Sequence, residues 1–484
     1  MCHPERSAAT SKNLRLQLSC VTDNLGSGSN QKMKIQISFK IFALSVLLLT
    51  PFGGGQTSTP PPNFIVIFTD DLGYGDIQPN GGIIPTPNLN RMAQQGLVAT
   101  DYYAAANLCT PSRAGLLTGR YAIRSGLAYQ VIMSGDERVL PTSERTIPDV
   151  LHPTYTSGLF GKWHLGQTGP DWLPTHHGFD HYYGIPYSHD MLPLAIYEAD
   201  AKTGSVTTSP ADYPTLQENF FSHAVSFIEQ NRDHPFFVDL ALSAPHLPEY
   251  PYGKFKGAST NAGPFGDVVM QIDSIVGRLF DKLRELHLDQ NTIVIFTSDN
   301  GPWYEGSSGP LRDRKGGSGY DGGYRVPFIA WAPGLIPPGK TNAIMTGLDF
   351  LPTLAHFANL PLPQGVELDG LDISAVLTKH APSPHDQLVL FNNEEIVAIR
   401  TQQWKYVDQT YQRGNIVTFG NTKYKQLYDT ANDIHESYSL ADRHPDITAD
   451  MQRRLAEARK KYAPFKKGVP LYFQKQPQAE NKHD

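Results

Sequence analysis

One cysteine is set apart by its neighbours. The segment Cys109-Thr110-Pro111-Ser112-Arg113-Ala114-Gly115-Leu116-Leu117-Thr118-Gly119-Arg120 holds a proline suited to the first turn of a helix and a glycine suited to its end. Cys109 is therefore expected just before a helix N-terminus, where free N–H groups and the helix dipole favour an anion. Arg113 lies one turn in and can return toward the same end. A thiol placed this way could be a reactive thiolate, which makes a cysteine hydrolase one reading. No His–Asn partner pattern accompanies it. A small buried core residue is the plainer reading.

Hard oxygen ligands recur at other points. Asp70-Asp71 ends the apolar run 63–69, and Asp299-Asn300 ends the run 292–298. One such aspartate would read as a turn or cap residue. Asp70, Asp71, Asp299 and Asn300 together suit Ca²⁺, with Mg²⁺ second and soft metals excluded. Without a cation the acids would repel one another. Two further runs, 156–160 and 236–242, lead to Lys162 with His164 and to His246. Arg113, Lys162 and Lys315 could neutralise an anionic substrate; singly, each would read as a solvated surface cation.

Those runs are short, continuous and rich in β-branched residues, as strands covered on both faces are. In such sheets ligands bind beyond the carboxyl ends of the strands. Helical spacing appears between them, in Val268, Val269, Ile272, Ile275, Val276, Leu279, Phe280 and Leu283, and in Phe220, Phe221, Ala224, Phe227 and Ile228. The fold predicted is α/β: a large, doubly wound, mixed but mostly parallel sheet with helices on both faces. After about Leu377 the texture changes. A linker-like Ala381-Pro382-Ser383-Pro384 precedes strand-like pieces at 387–391, 396–401 and 404–407 and a helix near 446–461. This reads as a smaller C-terminal α+β domain with an antiparallel sheet, residues 378–484 against 63–377.

The 484 residues include 40% hydrophobic and 18% charged side chains, enough for a large core. A net charge of −6 gives no sign of a nucleic-acid partner. Lys32, Lys34 and Lys40 precede the apolar run 41–49, which is followed by Gly53-Gly54-Gly55 and a polar neck at 56–62. This is the pattern of a signal peptide at 33–55, starting at Met33, with residues 1–32 an overcalled extension. A genuine extension ahead of an uncleaved anchor is the alternative. The run is too short to span a membrane, so no stable anchor is expected, and the protein should be exported to the periplasm or secreted. Cys2 and Cys20 would be lost with the leader, leaving Cys109 without a disulfide partner.

Taken together, the segment from Cys109 to Arg120 and five others resemble type I sulfatases, the formylglycine-dependent family of the alkaline phosphatase superfamily. They are Asp70-Asp71-Leu72-Gly73-Tyr74-Gly75-Asp76, Gly161-Lys162-Trp163-His164-Leu165-Gly166, Asp299-Asn300-Gly301, Lys315, and Gly322-Gly323-Tyr324-Arg325. The segments 184–190 and 263–267 are most similar to the arylsulfatase A branch. The resemblance implies that a maturation enzyme oxidises Cys109 to formylglycine, which then joins the metal ligands. Its hydrate attacks a small sulfated substrate, forms a covalent sulfo-enzyme and releases sulfate. His246, helped by Lys315, is the expected acid for the leaving alcohol, and His164 the expected base. Ser188 is expected to contact substrate, and His189 is a further candidate. Asp321 stands where the family usually has Glu, the stretch between Lys315 and Tyr320 is one residue longer, and Ile434 replaces a usual proline. Two alternatives remain: a phosphonate or phosphate ester hydrolase of the same superfamily, and a catalytically silent carbohydrate-binding protein.

Overall fold

The computed structural model describes residues 60–408 and 425–475. The expected extension, signal peptide and most of the neck lie outside those residues.

The apolar runs form strands and gather in one ten-stranded sheet. Its spatial order is Gly339–Thr341, Leu97–Ala99, Phe328–Trp331, Thr292–Ser298, Asn63–Thr69, Phe236–Ala241, Thr156–Lys162, His181–Ile185, Ala195–Asp200 and Ser205–Pro210. The five strands from Thr292–Ser298 to His181–Ile185 are mutually parallel, with antiparallel neighbours on both sides. All residues of the central strand Asn63–Thr69 are buried, which is why that run is continuously apolar rather than alternating.

Alternate residues of that strand feed two cores. Phe64, Val66 and Phe68 face Ala114, Leu116 and Leu117 of the helix Cys109–Thr118. Ile65 and Ile67 face the helices Leu216–Gln230 and Gly263–Glu285. The apolar stripes read from the sequence are the buried faces of these two helices. Each fully buried Val, Leu, Ile or Phe contributes about 1.5–3 kcal/mol, so the sheet edge that carries the acids rests on a rigid base.

A separate four-stranded antiparallel sheet follows, Leu388–Asn392, Glu395–Arg400, Trp404–Val407 and Gln426–Asp429 in order, with the helix Pro445–Tyr462 packed on it. Its last strand carries no alternation long enough to read as one. Leu388, Leu390, Val397 and Tyr428 share a core with Tyr103, Tyr320 and Tyr324, which ties this sheet to the segment after Lys315. Among the described residues no helix is long and apolar enough to cross a membrane.

Candidate active site

Strand register brings the acids together. Thr69 pairs with Ser298 in parallel, so the next residues, Asp70 and Asp299, emerge side by side. Asp71 turns away with φ 64°, and its N–H donates to Asp299 Oδ1 at 3.2 Å. Across the strand Phe236–Ala241, Ala241 pairs with both Phe68 and Gly161, which sets Lys162 at the same level. Gly161 has no tolerated substitute: a Cβ there would sit 1.8 Å from the Ala241 carbonyl oxygen. The helix carrying Cys109 begins at Cys109 itself, with Leu108 as the extended N-cap (φ −141°, ψ 151°). That is one residue earlier than expected. Gly119 ends it at φ 66°, its N–H on the Gly115 carbonyl.

Cys109 Sγ thereby lies 3.5 Å from Asp70 Oδ1 and 4.0 Å from Asp71 Oδ1. One ligand atom from each of Asp70, Asp71, Cys109 and Asp299 falls within 4.8 Å of the others, and all four residues are buried. Asn300 Nδ2 donates to Asp71 Oδ1 at 2.7 Å and to the Gly301 carbonyl at 2.9 Å, which leaves its buried Oδ1 unpartnered. Carboxylates and an orphaned amide oxygen are the donor set a hard divalent cation takes.

Three cations close the cluster. Arg113 donates through Nε and Nη2 to Asp299 Oδ2 at 3.1 and 2.8 Å, and through Nη1 to the Lys162 carbonyl at 2.9 Å. Lys162 Nζ reaches Asp70 Oδ2 at 2.6 Å, and Lys315 Nζ reaches Asp71 Oδ1 at 2.6 Å. Burial by itself would raise the Asp70 carboxyl, but Lys162, His246, Arg113 and Lys315 hold it well below its ordinary range. Burial and the neighbouring Asp70 push Asp299 up to about 7. Burial also drives the Cys109 thiol well above its ordinary value, against the pull of Lys162 and Lys315. Three carboxylates already balance three ammonium or guanidinium groups, so an added divalent cation would leave the site positive and ready for an anionic ester.

The histidines have fixed tautomers. His164 Nε2 lies 2.9 Å from the Ile132 carbonyl, which only accepts, so Nε2 carries the proton. Nδ1 is left as a buried lone pair with no partner. Burial, then Lys162 and Arg113, hold this ring neutral well below the usual imidazole range. His246 Nδ1 donates to the Leu247 carbonyl at 2.6 Å, and its Nε2 lies 3.6 Å from Asp71 Oδ2. His189 is held between Ser243 and the Pro248 carbonyl, and burial brings it down to about 4. Its ring meets that of His246 edge-on at 5.7 Å. Ser188 Oγ is buried and unpartnered, with no hydrogen bond to the cluster.

The chain matches the sulfatase family model over residues 62–360. It belongs to the sulfatase family. It is 37% identical to human arylsulfatase A over 445 residues, covering 85% of each chain. It is 30% identical to an N-acetylgalactosamine-6-O-sulfatase of Bacteroides thetaiotaomicron over 483 residues, covering 83% of this chain and 93% of that protein. Among solved structures it is similar to the PsFucS1 sulfatase from Pseudoalteromonas sp., with a TM-score of 0.77 and 28% identity over 84% of this chain and 92% of that one. The reaction class is sulfuric ester hydrolysis.

Two of the three departures from the family pattern have local explanations in this sulfatase, and Ile434 has none. The longer stretch after Lys315 is pinned where Gly316 N–H donates to the Asn107 carbonyl at 2.9 Å and where Asn107 and Asn392 both donate to the Gly317 carbonyl. Lys315 N–H donates to the Pro302 carbonyl at 3.1 Å. Asp321 points away from the acids, into a cluster with Tyr103, Arg325 and Lys405. Sequence reasoning missed Thr110, whose hydroxyl donates to the His164 carbonyl and accepts from Ile132 N–H, both at 3.0 Å. It joins the Cys109 helix to both ends of the His164 support. A cleft of about 710 Å³ under the helix Pro445–Tyr462 is lined by none of the acids, cations or histidines above.

Proposed function

We propose that this sulfatase uses formylglycine made from Cys109 by a maturation enzyme, with Ca²⁺ as its metal, to hydrolyse a sulfated carbohydrate. The observation that carries the reading is the Cys109 sulfur against Asp70 and Asp71 beside the unpartnered Asn300 Oδ1. The names of relatives that act on N-acetylgalactosamine 6-sulfate favour a sugar sulfate; an aryl sulfate would serve as an assay substrate.

Asp70, Asp71, Asp299 and Asn300, with residue 109, would hold the cation. When bound it supplies Lewis-acid stabilisation of charge on the sulfate oxygens. A hydrated formylglycine at residue 109 would supply one hydroxyl to displace the alcohol from sulfur in line and a second whose deprotonation expels sulfate and returns the aldehyde, which water then rehydrates. Arg113, Lys162 and Lys315 orient the anionic ester and offset charge in the transition state. Lys315 and His246 both approach Asp71, and we assign them to the departing alcohol, with Nε2 of His246 giving the proton. The bare Nδ1 of His164 suits a base for the second half-reaction. Ser188, its hydroxyl without a protein partner, would bind substrate, with His189 behind it. The lysines, apolar run and small-residue neck at 32–62 support export with cleavage between about residues 50 and 62. The change of texture after Leu377 supports a catalytic domain 63–377 and a smaller domain 378–484.

The test compares rates of the matured enzyme on an aryl sulfate and an aryl phosphonate ester, beside Cys109→Ala. Sulfate should be strongly preferred, and Cys109→Ala should be folded and inactive. Faster phosphonate turnover, or an active Cys109→Ala protein, would overturn the proposal. His246→Ala should hurt a sugar sulfate more than an activated aryl sulfate, whereas His164→Ala should hurt both alike.

A further inference from the structure

The segment that carries His246 is gripped on both sides of that residue. On one side the Ala244 carbonyl accepts from Asp70 N–H at 3.0 Å. On the other the Pro248 carbonyl faces Nε2 of His189 at 3.0 Å. The His246 ring donates from Nδ1 to the Leu247 carbonyl, its own neighbour, and among the described residues no group outside the segment hydrogen-bonds that ring. The aim of its Nε2, 3.6 Å from Asp71 Oδ2, therefore depends on where the backbone at 244–248 is held.

The grip at Pro248 runs back through three side chains in one direction only. A carbonyl oxygen accepts and never donates, so Nε2 of His189 carries the proton. Burial holds that ring neutral, at about 4, which leaves Nδ1 as a lone pair. Ser243 Oγ lies 3.1 Å from Nδ1 and donates its one proton there. Gln217 must then donate to Ser243 Oγ, from Nε2 at 2.9 Å. The reverse amide orientation would face Oε1 to a hydroxyl oxygen with no hydrogen left to give. Gln217 stands in the first turn of the helix Leu216–Gln230, Ser243 just past the strand Phe236–Ala241 and His189 past the strand His181–Ile185. All three are buried. The His189 ring also meets His246 and Tyr250 edge-on, at 5.7 and 5.8 Å. His189 read from the sequence as a candidate for substrate contact. Its one ring proton and that of Ser243 are both taken within the protein, so neither has a hydrogen to offer a sulfate oxygen.

We propose that Gln217, Ser243 and His189 are positioning residues that hold His246 at the departing alcohol oxygen, and that none of the three touches substrate. The inference rests on the proposed role of His246 as the acid for that alcohol. A general acid works only within hydrogen-bond reach of the oxygen it protonates. Side chains locked by packing and by supporting hydrogen bonds are what keep such a reach. The poorer the leaving alcohol, the more its departure depends on that proton.

The test uses the matured, calcium-loaded enzyme and its Ser243→Ala, Gln217→Leu, His246→Ala and Ser243→Ala/His246→Ala variants. The readouts are kcat/KM on ring-substituted phenyl sulfates, which keep one shape while the acidity of the leaving phenol changes, and the inhibition constant of inorganic sulfate. Ser243→Ala should lower kcat/KM about tenfold for unsubstituted phenyl sulfate and less than about twofold for a nitrophenyl sulfate. Gln217→Leu should follow the same trend at about threefold. The sulfate inhibition constant should stay within about twofold of wild type. Once His246→Ala has removed the ring, Ser243→Ala should cost nothing further. Wild-type kcat/KM in both Ser243→Ala and Gln217→Leu would overturn the proposal. So would a loss equal for every phenyl sulfate, a sulfate inhibition constant that rises in parallel, or a Ser243→Ala loss that persists in full beside His246→Ala. If His246→Ala slows every phenyl sulfate alike, the leaving-group role of His246 fails, and the double variant still decides whether the three residues act through it. A wild type that cleaves no sulfate ester would refute the proposed function and this inference with it.

Discussion

Two buried ionic clusters in this molecule have the same formal composition and opposite character. At the sheet edge, Asp70, Asp71 and Asp299 face Arg113, Lys162 and Lys315. Behind it, Asp101, Asp321 and Glu436 face Arg325, Arg400 and Lys405. The second cluster is nearly closed on itself: Glu436 Oε1 lacks a hydrogen bond, but Lys405 Nζ lies 2.8 Å from it as an ion pair. Asp321 takes Lys405 Nζ at 2.6 Å, Tyr103 OH at 2.9 Å and Arg325 Nη1 at 3.2 Å. Its N–H is capped by Glu436 Oε2 at 2.7 Å, and Asp101 holds Arg400 at 2.8 Å. Burial would raise the Asp321 carboxyl, but Lys405, Arg325 and Arg400 hold it well below its ordinary range. The first cluster instead leaves Asn300 Oδ1, His164 Nδ1 and Ser188 Oγ without partners in its surroundings. Charge balance thus does not distinguish the two clusters; the difference is that the atoms left open around the first have no ionic partner either, whereas Glu436 Oε1 in the second meets Lys405.

The contrast can be broken first at Asp299. Asp299→Ala removes a proposed cation ligand and the carboxylate that holds Arg113. Turnover should fall by at least about a thousandfold, and bound calcium, measured by elemental analysis, should fall with it. Lys405→Met is the matching lesion in the closed cluster. It should cost about 3–5 kcal/mol of stability by chemical denaturation, while kcat per folded molecule stays at the wild-type value. Loss of kcat in the folded Lys405→Met protein would show that the two clusters are not separable.

Chelation sharpens the comparison without mutation. Calcium at a hundredfold excess over its dissociation constant should add about 2.7 kcal/mol, and chelator should remove this from wild type and Lys405→Met but not from Asp299→Ala. The smallest effect belongs to Asp239, a buried carboxyl in neither cluster, with Oδ1 unpartnered. Burial pushes it up to about 7, against Arg113. A raised carboxyl contributes stability that is complete below its unfolded value, about 4, and is lost as pH rises through about 7. Asp239→Asn should therefore gain thermal stability relative to wild type at pH 8 and little at pH 5. An equal difference at both pH values would contradict that origin.

The open cluster was legible and the closed one was not, for a physical reason. Asp70, Lys162 and Asp299 each follow a continuous apolar run, so their arrival at one sheet edge can be read from strand ends. Cys109 opens a helix whose proline and closing glycine the sequence also shows. Apart from Arg325, four residues on from Asp321, the members of that cluster sit at Asp101, Tyr103, Arg400, Lys405 and Glu436, with no spacing rule to join them. Asp321 itself attracted notice only as a departure from the resemblance. The tautomer of His164 depends on a carbonyl 32 residues upstream, which no local pattern reports. The fourth strand of the small sheet, Gln426–Asp429, is specified by pairing with Trp404–Val407 rather than by its own four residues.

The central claim is that position 109 acts as an aldehyde and not as a thiol. Mass spectrometry of the peptide containing residue 109, taken from enzyme whose sulfatase activity has just been measured, tests it directly. The account expects the peptide to have lost its sulfur and gained an oxygen, in a fraction that rises in step with specific activity across preparations. Full activity in a preparation whose residue 109 is wholly unmodified cysteine would contradict it.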